Sequence, residues 1–272
     1  EYKFDTNFDG KPKLLPDGSV DYWSVHSIES VTAGQVIAVY HPAVSGEDGM
    51  SVKGRLVPAK HGREQMPLKG KGFDRMDDEV TYTASMDGKI EMQNDRIVVL
   101  PVHEVSGNAE LAEGNIDFRG DIVIHGNVES GVSIRATGSI TIDGVAEACM
   151  LEAGKDIILR GGMLGGNKAS VKTKGAITAK FFEFTNILCE GDLQADVLMD
   201  CSVICHGQIR LTGRKGSIIG GKVQAIRGLI ATSLGNDAEK RTEIFVGAGI
   251  DVYSRLRVME KKIEMTREEL AK

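Results

Sequence analysis

Asp192, Asp196 and Asp200 recur at every fourth position, and such closely spaced carboxylates could act as catalytic groups. Asp143 and Asp156 lie on neighbouring repeats of the glycine pattern described below. Carboxylates clustered on the outer face of a β-helix, with a base and often Ca²⁺, can cleave polysaccharides. Outward aspartates also keep a β surface solvated, and positions along one coil spread around its perimeter. Only 5% of the residues are aromatic, which leaves few platforms for sugar rings. We therefore interpret these aspartates as solvated surface and keep a carbohydrate-active β-helix enzyme as an alternative.

Two glycine-rich inserts, residues 161–168 and 213–222, form the second candidate site. The stretch from Gly216 to Lys222 matches G-x-x-x-x-G-K, but Val223 stands where a phosphate loop needs Ser or Thr. Backbone amides beside Arg214 and Lys215 would suit a small anion, whereas the tolerance of glycine for positive φ explains the same residues structurally. We predict that both inserts are loops on one side of a rigid rod and form its recognition surface. The candidate recognition residues are Gly161, Gly162, Gly165, Gly166, Lys168, Arg214, Lys215, Gly216, Gly220, Gly221 and Lys222.

The spacing of the cysteines and histidines indicates no metal site, no cofactor site and no catalytic group. Cys149, Cys189, Cys201 and Cys205 lack the paired C-x-x-C spacing that zinc requires. Cys201 and Cys205 fall in the inward phase of their strand, and the cysteines should stack as small apolar residues. The six histidines are scattered, and no nucleophile or carboxylate partner stands out for them.

Glycine recurs through the second half of the chain at near-regular intervals. An apolar residue usually follows each of these glycines two positions later, from Ile122 to Ile230. The steps between the glycines range from about 16 to about 21 residues, a period that predicts a solenoid, in which each repeat buries its apolar face only against its neighbours. The periodic glycines are Gly120, Gly138, Gly154, Gly175, Gly191, Gly207 and Gly228.

The coil from Gly191 to Gly207 predicts the structure of one turn. Its residues alternate between apolar and polar, which is typical of strands with one buried face. Coils of about 16 to about 21 residues fit a parallel β-helix of three short strands per turn and not a hexapeptide helix. The predicted inward residues are Leu193, Ala195, Val197, Met199, Cys201, Val203 and Cys205, with Leu198 outward.

The predicted domain organisation has four parts. Residues 1–24 form an N-terminal arm or linker, residues 25–105 a small β domain, and residues 106–250 the β-helix. Residues 251–272 form an amphipathic helix. Its apolar positions have a/d spacing, so it either caps the solenoid or begins an oligomerising coiled coil. These positions are Leu256, Met259, Ile263, Thr266 and Leu270.

Charge and hydropathy restrict the partners. A formal net charge of −6 offers no electrostatic attraction to nucleic acid or anionic lipid. The chain has neither an apolar run long enough to span a bilayer nor a signal-peptide pattern. The sequence therefore predicts a cytoplasmic location, no nucleic-acid partner and no membrane insertion.

Several segments in order resemble the FapA (flagellar assembly protein A) family of bacterial proteins. They run from Ser45 to Gly49 with Val52 to Gly54, from Gly114 to Ile124, and from Lys215 to Gly221. The resemblance implies an N-terminal β domain, a right-handed parallel β-helix similar to the C-terminal domain of the division inhibitor MinC, and a C-terminal coiled coil. It also implies a link to flagellar assembly.

The expected function is that of a non-enzymatic cytoplasmic scaffold or protein-interaction module, connected with flagellar assembly or polar organisation. The expected partners are proteins, including flagellar or polar ones, and the full-length protein is expected to form a homo-oligomer. Besides the carbohydrate-active enzyme, the alternative is small-anion sensing by the glycine-rich inserts. The expected fold class is all-β, with a right-handed parallel β-helix between a small β domain and the start of a coiled-coil helix.

Overall fold

The computed structural model describes residues 1–4, 13–14, 20–21, 30–60, 62–94, 96–213, 215–247, 259 and 263. The chain divides into two compact units. Unit 1 comprises Glu1–His103 and Phe118–Gly120, and unit 2 comprises Glu104–Asp117 and Asp121–Lys272. In the part of the chain that is described, no helix has both the length and the apolar character needed to cross a membrane.

Unit 1 consists of short strands. They are β1 (Tyr2–Phe4), β2 (Lys13–Leu14), β3 (Val20–Asp21), β4 (Ser30–Val31), β5 (Val36–Tyr40), β6 (Gly49–Met50), β7 (Leu56–Val57), β8 (Gly70–Lys71), β9 (Phe73–Arg75), β10 (Thr81–Ala84), β11 (Gly88–Gln93) and β12 (Arg96–Leu100). One sheet has the order β1-β5-β10-β9 and another the order β4-β11-β12-β8. The two strand pairs β2-β3 and β6-β7 are antiparallel.

The core of unit 1 follows from alternation along these strands. In β10, Tyr82 and Ala84 are buried, and in β12, Ile97 and Val99 are buried, with partly exposed or exposed residues between them. Residues 89–100 form a hairpin, because β11 and β12 pair antiparallel in register. The core residues are Val31, Ile37, Ala38, Tyr82, Ala84, Ile90, Ile97 and Val99.

The predicted N-terminal arm is wrong for the first residues. Tyr2–Phe4 form β1, which pairs antiparallel with β5, and Tyr2 and Phe4 pack against the unit 1 core. The Tyr2 and Tyr40 ring centroids lie 4.9 Å apart. Aromatic packing therefore attaches residues 2–4 to the core of unit 1.

Unit 2 is a parallel β-solenoid, as predicted. Its strands, the first of which begin or end in unit 1, are β13 (Val102–Val105), β14 (Ile116–Phe118), β15 (Asp121–Ile124), β16 (Ser133–Ala136), β17 (Ile140–Ile142), β18 (Ala146–Glu147), β19 (Met150–Ala153), β20 (Ile157–Leu159), β21 (Met163–Thr173), β22 (Ile177–Ala179), β23 (Phe181–Cys189), β24 (Leu193–Ala195), β25 (Val197–Cys205), β26 (Gln208–Leu211), β27 (Ser217–Ala225), β28 (Gly228–Ile230), β29 (Ser233–Leu234) and β30 (Thr242–Val246). A single turn of 3-10 helix covers Leu111–Glu113.

Two parallel sheets run through the solenoid. Each of about eight turns adds a short strand to the first sheet, in the order β13-β15-β17-β20-β22-β24-β26-β28. The second sheet has the order β14-β16-β19-β21-β23-β25-β27-β29, with β30 also paired to β27. The long strands β23, β25 and β27 each bend once, at Phe184, Asp200 and Gly220, which have positive φ. Together with the first-sheet strand, each of these turns therefore has three straight segments, as the sequence predicts.

Equivalent residues of successive turns stack in columns through the interior. In the first sheet one such column begins at Ile122 and ends at Leu229. Its members are Ile122, Ile140, Ile157, Ile177, Leu193, Ile209 and Leu229. Apart from Leu229 in the last turn, each of them is fully buried. The sequence prediction of Ile230 as the last member is wrong, because Ile230 pairs with Arg210 and is 49% exposed.

Three corners separate the straight segments of each turn. The first corner lies between a first-sheet strand and the long strand after it, at Lys180, at Asp196 and, in the next turn, between Leu211 and Ser217. The second corner is the bend within the long strand, at Phe184 and Asp200. The third corner carries the periodic glycines, Gly175, Gly191 and Gly207 among them.

The predicted phase within the Gly191–Gly207 coil is partly wrong. Leu193, Ala195, Cys201, Val203 and Cys205 are buried as predicted, but Leu198 is buried and Val197 and Met199 face outward, partly exposed. The corner residues Asp196 and Asp200 each shift the alternation by one position. Continuous alternation over the whole coil therefore misplaces the segment between these two corners.

The predicted C-terminal helix lies almost wholly outside the described residues. Of its apolar positions only Met259 and Ile263 are described, and they are 61% and 54% exposed. The amphipathic helix and its coiled-coil role therefore stay predictions.

Candidate interaction surface

The structure places the predicted recognition residues mostly in strands. Gly165, Gly166 and Lys168 lie within β21, and Gly220, Gly221 and Lys222 lie within β27. Only Gly161, Gly162, Lys215 and Gly216 precede these strands as turn residues, and Arg214 lies outside the described residues. Gly221 and Lys222 pair with residues of the neighbouring strand, so the prediction of a glycine-rich loop is wrong for them. Residues 165–168 form a bulge that interrupts the pairing of β21 with β23.

The two inserts also enlarge different corners. In the first, Leu164 pairs with Glu183 and Ala169 with Thr185, so the four residues 165–168 stand opposite the single residue Phe184 at the second corner, which is three more. In the second, Leu211 stacks on Ala195 and Ser217 on Val197, so the chain has five residues between these two positions where the preceding turn has only Asp196, which is four more at the first corner. The inserts therefore do not form one duplicated edge.

The second corner is built from residues with a left-handed backbone. Ala148, Phe184 and Asp200 occupy this corner in different turns and have φ values of 39°, 47° and 51°. Three different residue types therefore adopt the same bend. Gly220 supplies it in the following turn with φ 71°, and its amide donates to the Thr242 hydroxyl oxygen at 2.9 Å. Because that amide has a partner within the chain, it is not available to an anion.

Two small clefts follow the second corner. One of about 170 Å³ is lined by Asn167, Phe184, Asp200 and Lys222 among others. A neighbouring cleft of about 400 Å³ is lined by Ala148, Leu164, Gly165, Gly166, Glu183 and Phe184 among others. Lys240 pairs with Asp200 and its ammonium nitrogen lies 5.7 Å from the Phe184 ring centroid. The charges of Asp200 and Lys240 at this corner therefore compensate each other within the chain.

The second insert borders a more apolar cleft, which we call the insert cleft. Its volume is about 370 Å³, and it is lined by Lys180, Phe181, Phe182, Glu183, Asp196, Val197, Met199 and Lys215. Phe181 stacks on Val197, and Glu183 stacks on Met199 in the next turn. Lys215, exposed at the end of the insert, and Lys180 stand at its edge. An apolar floor edged by charges of both signs suits a protein segment with apolar side chains.

Sequence reasoning missed Phe181, Val197 and Met199 as surface residues. The signal was present, since the segment between the first and second corners has consecutive apolar residues in successive turns, as in Phe181 and Phe182 and in Val197, Leu198 and Met199. A strand with one buried face needs only alternate apolar positions. Consecutive apolar residues in repeated turns therefore indicate an apolar outer face as well.

The candidate catalytic carboxylates do not converge. Asp192, Asp196 and Asp200 lie at the third, first and second corners of one turn. Asp192 accepts a hydrogen bond from the Gln208 amide at 2.9 Å, and Asp156 accepts one from the Ala176 amide at 2.7 Å. The carboxylates of Asp192 and Asp156 tie successive turns together, which is a structural role.

A charged ladder accounts for Asp143. Its carboxylate lies 2.9 Å from His125 Nδ1 and 3.1 Å from the Arg160 guanidinium. The three residues belong to successive turns of the solenoid, and their side chains are partly exposed. Among the described residues no group of three or more His, Cys, Asp or Glu side chains is placed to hold a metal ion.

The cysteines lie in the interior, as the sequence predicts. All four are buried and unpaired by disulfides. Burial raises the pKa of Cys149 to about 12 and that of Cys201 to about 11. Cys189 stacks on Cys205 in the next turn, and their mutual hydrogen bond together with burial raises the pKa of Cys189. Protonated buried thiols are poor nucleophiles.

Comparison with known proteins gives the family but no characterised relative. Neither a curated protein nor a solved structure matches the chain. The family model described as "Flagellar Assembly Protein A N-terminal region" matches residues 1–95, and that described as "Flagellar Assembly Protein A beta solenoid domain" matches residues 101–272. The chain therefore belongs to the Flagellar Assembly Protein A (FapA) family and is a protein related to flagellar assembly.

Proposed function

We propose that this chain is a non-enzymatic scaffold of flagellar assembly, which acts in the cytoplasm and binds a partner protein at the insert cleft. The observation that carries the proposal is the cleft itself, where Phe181, Val197 and Met199 form an outward apolar floor. Apolar side chains on a concave surface are the usual anchor points for a protein partner. The family membership supplies the flagellar context.

The contacts around the cleft favour a protein partner over a sugar or an anion. The floor is apolar, and its edge carries Lys180 and Lys215 as well as Glu183 and Asp196. The two carboxylates offset the attraction of the two ammonium groups for a small anion, whereas a protein segment can oppose charges of both signs. The proposed partner therefore presents an apolar side chain flanked by charged residues.

The test is photo-crosslinking in the native host. A photoreactive residue at position 197 is expected to capture a flagellar-assembly protein, because this position lies on the cleft floor. The same residue at Ile204, which is 44% exposed on another side of the same turn, is the matched control and should capture little. Equal capture from both positions would contradict the proposal.

A second variant separates the cleft from the fold. Replacing residues 212–216 with one aspartate, as in the preceding turn at Asp196, should make this turn as short as the one before it and remove the edge of the cleft. We expect flagellation of a host carrying only this variant to fall, while its far-UV circular dichroism stays that of a β protein. Full flagellation with this variant, or turnover of a nucleotide or polysaccharide by the purified chain, would overturn the scaffold role.

A further inference from the structure

A cleft of about 1030 Å³ lies on unit 1, on the outer face of the sheet β4-β11-β12-β8. Strand β12 contributes Arg96, Val98 and Leu100 to its lining. These residues alternate with Ile97 and Val99, which are buried in the core. Because successive side chains of a strand point to opposite faces, the lining residues of β12 point away from the core. We call this space, which is lined by residues 68–71, 93, 94, 96, 98 and 100, the hairpin cleft.

The register between β8 and β12 brings three positive charges together in the hairpin cleft. The two strands pair in parallel, and Gly70 lies beside the buried Ile97. Lys69 and Lys71, on either side of Gly70, therefore lie on the outer face of the sheet with Arg96. All three are exposed and line the cleft. Adjacent strands lie about 4.8 Å apart, so Lys69 and Arg96 are close neighbours of like charge.

The three cations have no acidic partner in the described part of the chain. No ion pair there involves Lys69, Lys71 or Arg96. The carboxylate of Glu91, on the same face of β11, lies 3.0 Å from the Lys89 ammonium, so its charge is already compensated. Like charges on neighbouring strands destabilise a sheet. An anionic ligand would remove this repulsion, so the cluster is suited to binding one.

The rest of the lining indicates which kind of anion fits. Val98 and Leu100 are apolar and partly exposed, and they follow Arg96 at steps of two residues. An extended peptide has the same two-residue step, so its acidic and apolar side chains can meet the charged and apolar parts of the cleft. None of the described residues lining the cleft is aromatic, whereas single-stranded nucleic acids bind by stacking their bases on aromatic rings. The lining therefore favours an acidic peptide over a nucleic acid.

We propose that the hairpin cleft binds an extended acidic segment of a partner protein, in which carboxylates alternate with apolar side chains. The carboxylates oppose Lys69, Lys71 and Arg96. The apolar side chains pack on Val98 and Leu100. Complementary charge of this kind speeds encounter and selects the partner. Strand β8 is the last strand of its sheet, and its other edge, unpaired among the described strands, offers backbone groups to the incoming segment. The site belongs to unit 1 and does not depend on the insert cleft of unit 2.

Fluorescence anisotropy of the whole chain with a short labelled peptide of alternating glutamate and valine tests the hairpin cleft. We expect binding that weakens as salt is added, because exposed charges are screened. The double variant Lys69→Gln, Lys71→Gln should bind the peptide about tenfold more weakly, since it removes two exposed charge contacts. The matched control is the double variant Lys155→Gln, Lys174→Gln, which removes the same charge from exposed positions of unit 2 and should leave the affinity unchanged.

Two further measurements separate binding from folding and from simple charge attraction. The thermal midpoint of the double variant Lys69→Gln, Lys71→Gln should stay the same or rise, because repulsion from Arg96 is removed. A peptide with serine in place of valine should bind more weakly than the valine peptide, because the contacts with Val98 and Leu100 are lost.

Four results would overturn the proposal. The first is no binding of the peptide of glutamate and valine at low salt, and the second is an equal loss of affinity in the cleft variant and its control. The third is equal affinity for the valine and serine peptides, which would remove the role of the apolar lining. The fourth is tighter binding of a single-stranded oligonucleotide than of the peptide, weakened by the same substitutions at Lys69 and Lys71, which would make the cleft a site for phosphate groups.

Discussion

Gly191 and Gly207 show why glycine recurs at the third corner. A Cβ at Gly191 would lie 2.5 Å from the carbonyl oxygen of Gly175, and a Cβ at Gly207 would lie 2.3 Å from that of Gly191. Neither glycine has a positive φ. At these two positions glycine therefore reflects the close approach of successive turns, whereas the periodic glycines Gly120 and Gly228 have positive φ values of 149° and 141°.

Gly207→Ala is expected to lower the free energy of unfolding by about 1–3 kcal/mol, because the backbone must shift to admit the methyl group. Gly107→Ala is the control, since a Cβ there meets nothing within 4 Å and its φ is not positive. Its effect should be neutral or slightly stabilising. Urea denaturation of both variants measures the difference, and equal losses would refute the steric explanation.

The buried thiols carry a prediction for reactivity. The pKa of Cys149 is raised to about 12 and that of Cys201 to about 11 by burial, so both stay protonated at pH 9 in the folded protein. In the unfolded chain a thiol ionises near pH 8.5. We expect a thiol reagent at pH 9 to modify these residues only as fast as the chain unfolds, as read by peptide mass spectrometry. Rapid modification of the folded protein would contradict this.

The same shifts predict how stability depends on pH. Above about pH 8.5 the unfolded chain releases the thiol protons, while the folded chain keeps them until its higher pKa values are reached. The free energy of unfolding should therefore fall between about pH 9 and 11, by at most about 1.4 kcal/mol per pH unit for each thiol. Replacing Cys149 and Cys201 with alanine should remove that part of the slope.

At the scale of the strand, the second corner stores backbone strain. Ala148 has φ 39°, in the region that disfavours residues with a Cβ. Turn after turn adopts this bend because it lets one long strand pair on both sides of the corner. The hydrogen bonds and the buried columns on either side of the bend outweigh the local strain.

Ala148→Gly should therefore stabilise the solenoid by up to about 1 kcal/mol, since the strain of an L residue in this region is about 1–2 kcal/mol and glycine costs part of it in chain entropy. Ala176→Gly is the control, because Ala176 is also partly exposed but has no positive φ. It should destabilise by about 0.5–1 kcal/mol. The two thermal midpoints should move in opposite directions, and a loss in both would show that the bend is not strained.

The periodic sequence predicts the solenoid well and its corners poorly. Glycine spacing and alternation are local signals, and they yield the parallel stack, the inward cysteines and most of the first-sheet column. A corner can be formed by any residue that tolerates the bend, as Phe184 and Asp200 do. The sequence therefore shows that some turns contain additional residues. Only the pairing between strands shows at which corner these residues lie.

The sequence also did not predict the insert cleft, because its pattern does not locate the corners. A shift of one position at Asp196 turns Val197 and Met199 from core residues into surface residues. The alternation continues on both sides of the shift, so the pattern alone does not reveal it. Only the register between turns, in which Val197 stacks on Phe181, separates the two arrangements.

At the scale of the whole molecule, the two units have separate cores. Tyr82 lies in the unit 1 core and is 2% exposed, whereas Leu198 lies inside the solenoid and is fully buried. Stability is distributed locally, in units that can open independently. Cavities in the two cores should therefore affect different parts of the chain.

Hydrogen exchange can test this separation. Tyr82→Ala should speed exchange of amides in residues 30–100, and Leu198→Ala should speed exchange in residues 163–225, because each leaves a cavity that costs about 2–5 kcal/mol. Each variant serves as the control for the other. A uniform increase over the whole chain in either variant would show that the two units unfold as one.

The stacking of turns also determines how the solenoid would carry force. Hydrogen bonds between turns run roughly perpendicular to the strands, as in any sheet, and link each turn to the next. Tension along the stack would load these bonds a turn at a time, and each turn would peel away as a zipper opens. Tension along the strands would load the bonds of a whole sheet together in shear. The rod is therefore expected to be mechanically weak when pulled from its ends and strong when pulled across its side.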